Sequence, residues 1–410
     1  MLQGVNVALG VTGSIAAVKT VELAHELRRQ GADVRAVTTE SARGIVHPWA
    51  LEFATGNPVV TEITGRVEHV ELCGREGWAD LFLIAPATAN TVGKIAAAID
   101  DTPVTTTATT ALGADVPVVL APAMHEPMYD HPGVLSAIER VREWGVAFVD
   151  PRIEEGKAKI ATGEAIALAV ARHATPSPLA GRRVVVTSGP TAEAIDPVRV
   201  LTNRASGRTG RAVARACRVR GAEVTLVHDP TSVRGSATDG ASPDGADLPY
   251  ATVEAVESAA EMLAAVEEVV QDADALVSAA AVGDYTTATS AEKVRSGREG
   301  LTIELEPTPK LIDAAREARP DLPIVGFKTE TGSDDEAMVA AARETLRRVG
   351  LSFVVANDAS VMGAAETRAL FVREDSVEEY EGEKAGLGMC VAAELAAELG
   401  RRDDGSRAGE

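Results

Sequence analysis

The sequence of 410 residues has few cysteines, lysines and aromatic side chains. Its three cysteines, Cys73, Cys217 and Cys390, lack the spacing of metal ligands and are too few for a disulfide framework. Their small number predicts a protein of the reducing cytoplasm. No apolar run reaches the ~18 residues of a membrane span, and the apolar first ten residues lack the basic start and cleavage site of a signal peptide. We therefore expect a soluble cytoplasmic protein.

Basic residues are also in short supply. The chain has 61 acidic and 40 basic residues, which gives a formal net charge of −21. This balance argues against general nucleic-acid binding, which needs a basic face, and against docking on an anionic membrane. Only eight of the basic residues are lysines. Many acidic residues and few lysines favour a protein of a halophile. At 1 M salt, charges are screened within ~3 Å, so a large net charge causes little repulsion within the chain. A GC-rich genome, which favours arginine and alanine codons, is the alternative.

The hydrophobic pattern alternates strands and helices in two successive halves. At ~150 residues per domain, the length allows two or three domains. The proline-containing stretch 173–183 is the clearest linker. Continuous apolar strands between amphipathic helices predict parallel sheets covered on both faces. We predict an α/β fold of two tandem doubly wound domains of the Rossmann or flavodoxin type. The expected boundaries are 1–175 for the first domain, 176–182 for the linker, 183–400 for the second domain and 401–410 for a disordered tail.

Short apolar runs predict the strands, and stretches with helical periodicity predict the helices. In the first half, a first helix is expected to end at Arg29, and the other elements are strands Val5–Leu9, Val34–Val37, Leu81–Ala85, Val116–Ala121 and Val146–Val149 and helices Asn90–Ile99 and Pro132–Trp144. In the second half, the expected strands are Arg183–Thr187, Glu223–His228, Ala275–Ala279, Leu301–Leu305, Ile324–Phe327, Phe353–Ala356 and Ala369–Val372. The expected helices there are Arg208–Arg220, Val253–Val270, Leu311–Ala318 and Glu336–Arg348, and Arg234–Pro249 is expected to be a surface loop.

Polar motifs follow several strands of the first half, where doubly wound sheets bind ligands. Gly10–Ile15 joins a strand to a helix, and its backbone N–H groups and the Ser14 hydroxyl suit a phosphate. A tight turn that needs glycine explains this motif about as well. Thr38–Ser41 and Ala85–Thr91 follow later strands. A lone histidine is usually structural, but His69 and His125 are both expected at strand ends on one side of the sheet.

The second half repeats this arrangement. Ser188–Thr191 follows its first strand, and Asn203–Gly210 leads into a helix. On their own these loops are explained by glycine-containing connections. Asp284 ends another strand, and Lys293 follows it as one of the eight lysines.

These motifs together resemble a known pair of enzymes. Gly13-Ser14-Ile15-Ala16, His69 before Trp78-Ala79-Asp80, the segment Ala85–Asn90, and Pro122-Ala123-Met124 with Met128 resemble the FMN-binding, flavin-dependent cysteine decarboxylases. The second half resembles phosphopantothenate–cysteine ligase. In tandem they resemble the bifunctional phosphopantothenoylcysteine decarboxylase/phosphopantothenate–cysteine ligase of coenzyme A biosynthesis, over Val5 to about Leu399. With the composition, the resemblance points to an archaeal, halophilic member.

For the first half, the resemblance implies an FMN-dependent decarboxylase that yields 4′-phosphopantetheine. The implied FMN-binding residues are Gly13, Ser14, Ile15, Thr39, Ser41, Thr88 and Asn90. His69 matches the family's catalytic histidine, and His125 stands where the family has an asparagine that holds the substrate carboxylate. The family's flap cysteine is missing from 154–159, where Lys157 or Lys159 is a substitute proton donor.

For the second half, the resemblance implies ligation of cysteine to 4′-phosphopantothenate through an acyl-cytidylate made from CTP with Mg²⁺. Asn203 and Lys293 match catalytic residues that bind the acyl-cytidylate. The implied CTP-binding residues are Ala280, Asp284, Lys293, Pro309, Lys310, Leu311, Ile312 and Phe327, with Asp284 also near the magnesium. The lysines that the family has before its Ala-Asn-Asp strand are absent, and Arg343, Arg347 or Arg348 is a substitute charge.

Two other functions stay open on the sequence. One is a flavin or NAD(P) oxidoreductase, which would need a GxGxxG fingerprint that we do not find. The other is a non-catalytic flavoprotein regulator. The expected partners are small-molecule substrates and further copies of the chain, with a trimeric decarboxylase part and a dimeric ligase part by family analogy.

Overall fold

A computed structural model describes residues 1–154, 157–229, 248–295, 300–330, 334–358 and 366–407. The chain divides into two compact units, Met1–Pro176 and Ser177–Glu410. Within the described part of the chain, none of the helices combines the length and the apolar composition that a membrane span requires. Most of the predicted loop Arg234–Pro249 lies outside the described residues.

The first unit is built on a parallel sheet of five strands in the order β2-β1-β3-β4-β6, the flavodoxin-like order. The strands are β1 (Asn6–Val11), β2 (Asp33–Thr38), β3 (Leu81–Ala87), β4 (Val118–Pro122) and β6 (Ala147–Phe148). All seven residues of β3 are buried. Both faces of the sheet are covered, which explains why its central strands are continuous apolar runs rather than alternating ones. The predicted fold class is confirmed here.

Several helices of the first unit begin at side chains that accept hydrogen bonds from their first turns. Thr39, Thr88, Thr102 and Thr162 each cap a helix in this way, and Ser14 caps the 3₁₀ helix Ile15–Lys19. The α-helices are α1 (Thr20–Arg29), α2 (Glu40–Arg43), α3 (Pro48–Thr55), α4 (Glu68–Cys73), α5 (Ala89–Ala96), α6 (Pro103–Gly113), α7 (Glu126–Tyr129), α8 (Pro132–Glu143) and α9 (Gly163–Ala174). A small antiparallel sheet of order β5-β8-β7 is formed by β5 (Met124–His125), β7 (Arg152–Glu154) and β8 (Lys157–Lys159).

The second unit is built on an eight-stranded sheet in the order β13-β12-β9-β14-β17-β18-β19-β20. Its first six strands pair in parallel, in a Rossmann-like order, and the last two are antiparallel. They are β9 (Arg183–Ser188), β12 (Glu223–His228), β13 (Thr252–Ala255), β14 (Ala275–Ser278), β17 (Ile324–Glu330), β18 (Phe353–Asp358), β19 (Glu366–Val372) and β20 (Val377–Glu383). The second doubly wound domain is therefore also confirmed.

Helices and two small hairpins complete this unit. The helices are α10 (Arg208–Val219), α11 (Ala259–Val269), α12 (Leu311–Ala318), α13 (Asp335–Val349) and α14 (Lys384–Arg407). One hairpin joins β10 (Ala192–Asp196) to β11 (Arg199–Thr202), and the other pairs β15 (Tyr285–Thr286) with β16 (Glu306–Pro307).

Three predicted elements of the second unit are wrong. Leu301–Leu305 is not a strand, because its three apolar side chains are exposed and only residues 306–307 pair. The predicted helix Val253–Val270 is strand β13 followed by α11, since Ser258 and Glu261 form a capping box that starts the helix later. The predicted disordered tail begins as helix, because α14 continues to Arg407.

Candidate functional site

A cavity of about 1090 Å³ opens in the first unit. It lies where β1, β2, β3 and β4 end, which is the usual ligand position in such a sheet. Its lining includes every residue predicted to bind FMN, namely Gly13, Ser14, Ile15, Thr39, Ser41, Thr88 and Asn90. The sheet therefore brings three motifs that are far apart in sequence into one cavity.

The loop after β1 is held from both sides. The Thr12 hydroxyl donates to the Pro86 carbonyl oxygen at 2.7 Å and accepts from the Thr88 N–H at 3.3 Å. The Ser14 hydroxyl donates to the Ala123 carbonyl oxygen at 3.2 Å. These bonds connect the loop to the segments that follow β3 and β4, so its shape is set before any ligand binds.

Gly13 allows the loop to pass very close to Ser41. A Cβ atom at position 13 would lie 2.4 Å from Ser41 Oγ and 2.6 Å from Ser41 Cβ. Ser41 Oγ also hydrogen bonds to Thr39 Oγ1 at 3.1 Å, and Thr88 Oγ1 hydrogen bonds to Thr91 Oγ1 at 2.9 Å. The glycine thus lets the loop backbone approach the Ser41 hydroxyl closely, and the cluster of hydroxyl groups beside it suits a phosphate or a polar ring edge.

Positively charged side chains line the other parts of the cavity. Arg152 and Lys159 are opposite each other in the strand pair β7–β8, and His125, which also lines the cavity, lies opposite Lys157 in the pair β5–β8. Lys94 also lines the cavity, with its ammonium 2.8 Å from both carboxylate oxygens of Asp101. Arg152 is not marked by any motif in the sequence, because its place opposite Lys159 depends on strand pairing. The side chain of Lys157 lies outside the described ones.

His69 is not among the residues that line this cavity. It lies on α4, which packs against α6, so the expectation that it sits at a strand end is wrong. The residue is half-buried, and its Nδ1 atom is buried without a hydrogen-bond partner among the described residues. Cys73 ends the same helix, and burial raises the pKa of its thiol to about 12, which makes it a core residue rather than a nucleophile.

The second unit gathers its polar loops where β9 and β14 end. The Thr187 hydroxyl accepts from the N–H groups of Ala279 and Ala280 at 3.2 and 3.1 Å. The Asn203 side-chain amide donates to the Ala281 carbonyl oxygen at 2.7 Å. Two of the predicted residues are therefore brought together, because Asn203 bonds to Ala281, the residue that follows Ala280.

Glycines allow two loops of this unit, Ser188–Thr191 and Asn203–Gly210, to pack backbone against backbone. Gly207 has a φ of +68°, and a Cβ atom there would lie 3.1 Å from the Gly189 Cα. A Cβ at Gly210 would lie 2.6 Å from Ser188 Cβ. The Ser188 hydroxyl donates to the Gly207 carbonyl oxygen at 2.8 Å, which holds the loops together.

Asp284 and Lys310 form an ion pair at the same edge, with 2.5 Å between Lys310 Nζ and Asp284 Oδ1. Pro309 and Lys310 are exposed before α12, whereas Leu311 belongs to the core and Ile312 packs against it. The two apolar residues can therefore offer a ligand little beyond their backbone. The described residues contain no group of three acidic, histidine or cysteine side chains that could hold a metal, so Asp284 has no partner ligands there.

Lys293 is exposed on the segment between β15 and β16. Val294, the next residue, donates its N–H to Asp196 Oδ2 at 3.0 Å. The Arg199 guanidinium, together with backbone N–H groups, holds the pKa of the Asp196 carboxyl well below its usual range.

The remaining predicted residues lie on or near β17 and α13. Phe327 is half-buried on β17. The three arginines of α13 already have partners elsewhere: Arg343 donates to the Arg373 carbonyl oxygen, Arg347 pairs with Glu374, and Arg348 pairs with Asp313. Their expected use as free charges for a triphosphate therefore requires those bonds to break.

Comparison with known proteins shows the family to which the chain belongs. A family model described as Flavoprotein matches residues 1–175, and one described as DNA/pantothenate metabolism flavoprotein C-terminal domain matches residues 179–399. The coenzyme A biosynthesis bifunctional protein CoaBC of Thermococcus kodakarensis is 49% identical over 91% of this chain and 90% of its own length. The protein of the same name from Methanocaldococcus jannaschii is 34% identical over 96% of this chain and 94% of its own.

Among solved structures, the C-terminal domain of a coenzyme A biosynthesis bifunctional protein CoaBC is 30% identical. It covers 55% of this chain and 99% of that chain with a TM-score of 0.43. The matches of the two family models and of the full-length relatives agree, and the chain belongs to the family of bifunctional coenzyme A biosynthesis enzymes, with a flavoprotein half followed by a DNA/pantothenate metabolism flavoprotein half.

Proposed function

We propose that this chain catalyses two consecutive steps of coenzyme A biosynthesis. The second unit ligates cysteine to 4′-phosphopantothenate with CTP, and the first unit decarboxylates the product to 4′-phosphopantetheine with FMN. The observation that carries the proposal is the cavity of the first unit, which gathers all seven residues expected to bind FMN. The two full-length relatives support the pairing of both activities in one chain.

FMN fits the cavity of the first unit. Its phosphate suits the hydroxyls of Ser14, Thr39 and Ser41, which line the cavity beside the close approach of Gly13 to Ser41. When bound, FMN supplies the acceptor and later the donor of the electrons exchanged with the cysteinyl end of the substrate.

The chain's own residues bind and orient the substrate of the first unit. His125, Arg152 and Lys159 present positive or hydrogen-bonding groups to its carboxylate and phosphate. Lys159, which lines the cavity, is the proposed proton donor in place of the missing flap cysteine, and Lys157 is the alternative. His69 acts as base or electrostatic partner from a second copy of the chain, because it does not line its own cavity. This role requires a second copy of the first unit, and the trimer is proposed by analogy with the family.

In the second unit, the carboxylate of 4′-phosphopantothenate attacks the α-phosphorus of CTP. Pyrophosphate leaves, and an acyl-cytidylate forms. The amine of cysteine then attacks the acyl carbon, CMP leaves, and an amide is formed. Lys293 offsets the negative charge on the phosphoryl group, and Asn203 holds the acyl-cytidylate.

The other proposed CTP contacts surround the same edge of the sheet. Phe327 stacks on the cytosine, and Asp284 and Lys310 contact polar groups of the nucleotide. Ala280, Pro309, Leu311 and Ile312 contribute backbone and packing. The described residues do not fit a magnesium ion held by the protein, so any Mg²⁺ is carried by the phosphates of CTP.

We also propose the functional boundaries 1–175 and 183–400, a cytoplasmic location, and a dimeric second unit. The acidic composition supports a protein that works at high salt.

The experiment combines both assays on the purified full chain. Incubation with CTP, 4′-phosphopantothenate and cysteine should release pyrophosphate, and the same mixture with bound FMN should then release CO₂. Flavin absorbance without either release would favour a non-catalytic flavoprotein. Release of NAD(P) from denatured protein would favour the oxidoreductase.

A further inference from the structure

The segment that carries Lys293 is tied along β10. We name residues 286–294 the Lys293 segment. Four consecutive residues of β10 each accept one hydrogen bond from it. The bonds run from Thr286 Oγ1 to Glu193 Oε2 (2.7 Å), from Thr289 Oγ1 to the Ala194 carbonyl (2.9 Å), from the Ser290 N–H to the Ile195 carbonyl (3.0 Å) and from the Val294 N–H to Asp196 Oδ2 (3.0 Å).

The bond from Val294 to Asp196 is part of a larger group of hydrogen bonds. Asp196 is only 2% exposed, and its carboxylate also accepts from the Val198 N–H at 2.8 Å and from the Arg199 N–H at 3.0 Å. The Arg199 guanidinium bonds to Asp196 Oδ2 and donates to the Val294 carbonyl oxygen. The Asp196–Arg199 pair therefore holds both the N–H and the C=O of Val294.

A fixed backbone next to Lys293 limits where its ammonium can reach. A lysine side chain has four rotatable bonds and loses much rotamer entropy when it is ordered. Holding the following peptide group removes the main-chain part of that freedom in advance. Small displacements of a group that stabilises a transition state are costly, because a misplacement of ~1 Å is worth about 100-fold in rate.

We propose that Asp196 is a positioning residue for Lys293 in the ligation reaction. It acts with Arg199 by anchoring Val294 and not by touching a substrate. The inference rests on the proposed function, in which Lys293 stabilises the acyl-cytidylate. The competing explanation is that Asp196 only shapes the turn between β10 and β11, since its bonds to the backbone of Val198 and Arg199 serve that purpose alone.

Asp196→Asn on the full chain separates these explanations. The amide keeps one acceptor oxygen and puts a donor in place of the other. It therefore cannot accept both from the N–H groups of Val198 and Arg199, which bond to Oδ1, and from the Arg199 guanidinium and the Val294 N–H, which bond to Oδ2. We expect kcat for pyrophosphate release to fall at least tenfold, while KM for CTP changes less than threefold. The matched control is Asp274→Asn. Asp274 also accepts from a backbone N–H, that of Arg183 at 2.7 Å, and pairs with Arg182, but it lies where β14 begins, at the opposite edge of the sheet. It should keep wild-type kcat.

A double-mutant cycle with Lys293→Gln distinguishes positioning of Lys293 from a purely structural role, because a purely structural role predicts that the two losses of kcat multiply. If Asp196 acts through Lys293, adding Asp196→Asn to Lys293→Gln lowers kcat by less than twofold. Losses that multiply would overturn the proposal, as would wild-type kcat in Asp196→Asn. Wild-type kcat in Lys293→Gln alone would instead refute the proposed function of Lys293.

Thermal unfolding followed by circular dichroism shows whether Asp196→Asn folds. If it does not, Val294→Pro carries the test, because it removes the donated N–H and leaves the Asp196 carboxylate in place. The same fall in kcat and the same lack of additivity with Lys293→Gln are expected. Unchanged kcat in a folded Val294→Pro variant would contradict the anchoring.

Discussion

Replacing Gly13 by alanine tests the flavin cavity at the point where its loop lies against Ser41. The new Cβ would lie 2.4 Å from Ser41 Oγ, whereas ordinary contact begins at 3.4 Å. The two atoms must therefore separate by about 1 Å. Ser41 cannot simply turn away, because the Cβ would also lie 2.6 Å from Ser41 Cβ and 3.2 Å from its carbonyl carbon. The loop or the start of α2 has to move.

The size of the effect follows from this overpacking. Inserting a methyl group into a well-packed site costs about 1–3 kcal/mol. The loop has this shape before a ligand binds, so the variant relieves the strain by moving the loop. FMN then has to restore the original geometry, and the cost of doing so opposes binding. At about 1.4 kcal/mol per factor of ten, the dissociation constant for FMN should rise roughly 5- to 150-fold.

The assay is a titration of the apoprotein with FMN, followed by flavin fluorescence. Gly44→Ala is the matched control, because its Cβ would lie 3.6 Å from the carbonyl oxygen of the same Ser41, an ordinary contact. Its φ of −73° is also one that alanine adopts freely. This variant should bind FMN within twofold of wild type.

A steric cause can also be isolated. In a Ser41→Gly background, the nearest contacts of the new methyl group are gone, so Gly13→Ala should weaken FMN binding by less than threefold relative to that background. Wild-type affinity in Gly13→Ala, or an equal loss with and without the Ser41 side chain, would refute the idea that the packing of Gly13 against Ser41 shapes the flavin site.

Three further predictions concern the two reactions and the stability of the fold. His69→Asn should lower CO₂ release about 100-fold or more while FMN stays bound, and full activity in that variant would remove His69 from the mechanism. Lys293→Gln should lower pyrophosphate release about 100-fold with CTP binding retained, which a nucleotide titration beside the activity assay measures. Burial lowers the pKa of His228 from 6.5 to about 4. Between these two pH values, His228 binds a proton in the unfolded chain but not in the folded chain. This residue should remove about 3 kcal/mol of stability as the pH falls from 6.5 to 4, a loss that urea unfolding should show to be smaller in His228→Gln.

The sequence could predict those parts of the fold that depend on local patterns. Apolar runs such as Leu81–Ala87 and Glu223–His228 are strands because a buried parallel strand needs apolar residues on both faces. The helix Leu311–Ala318 was predicted with its observed bounds. Leu301–Leu305 was not predictable in this way, because alternating apolar residues form a strand only where a partner strand and a covering layer exist.

The candidate site divides in the same manner. The glycine loops and hydroxyl-rich strand ends could be found in the sequence, because few residue types permit a close backbone approach or a hydroxyl at a helix start. Other features involve residues that are not neighbours in sequence. Arg152 lies opposite Lys159, and Val294 is bonded to Asp196. His69, in turn, does not line the cavity of its own chain. Such pairs depend on strand register and chain crossing. The sequence by itself therefore determined the fold class and the chemical character of both halves, and only the tertiary structure decided which side chains share a site, because that depends on contacts that no local pattern encodes.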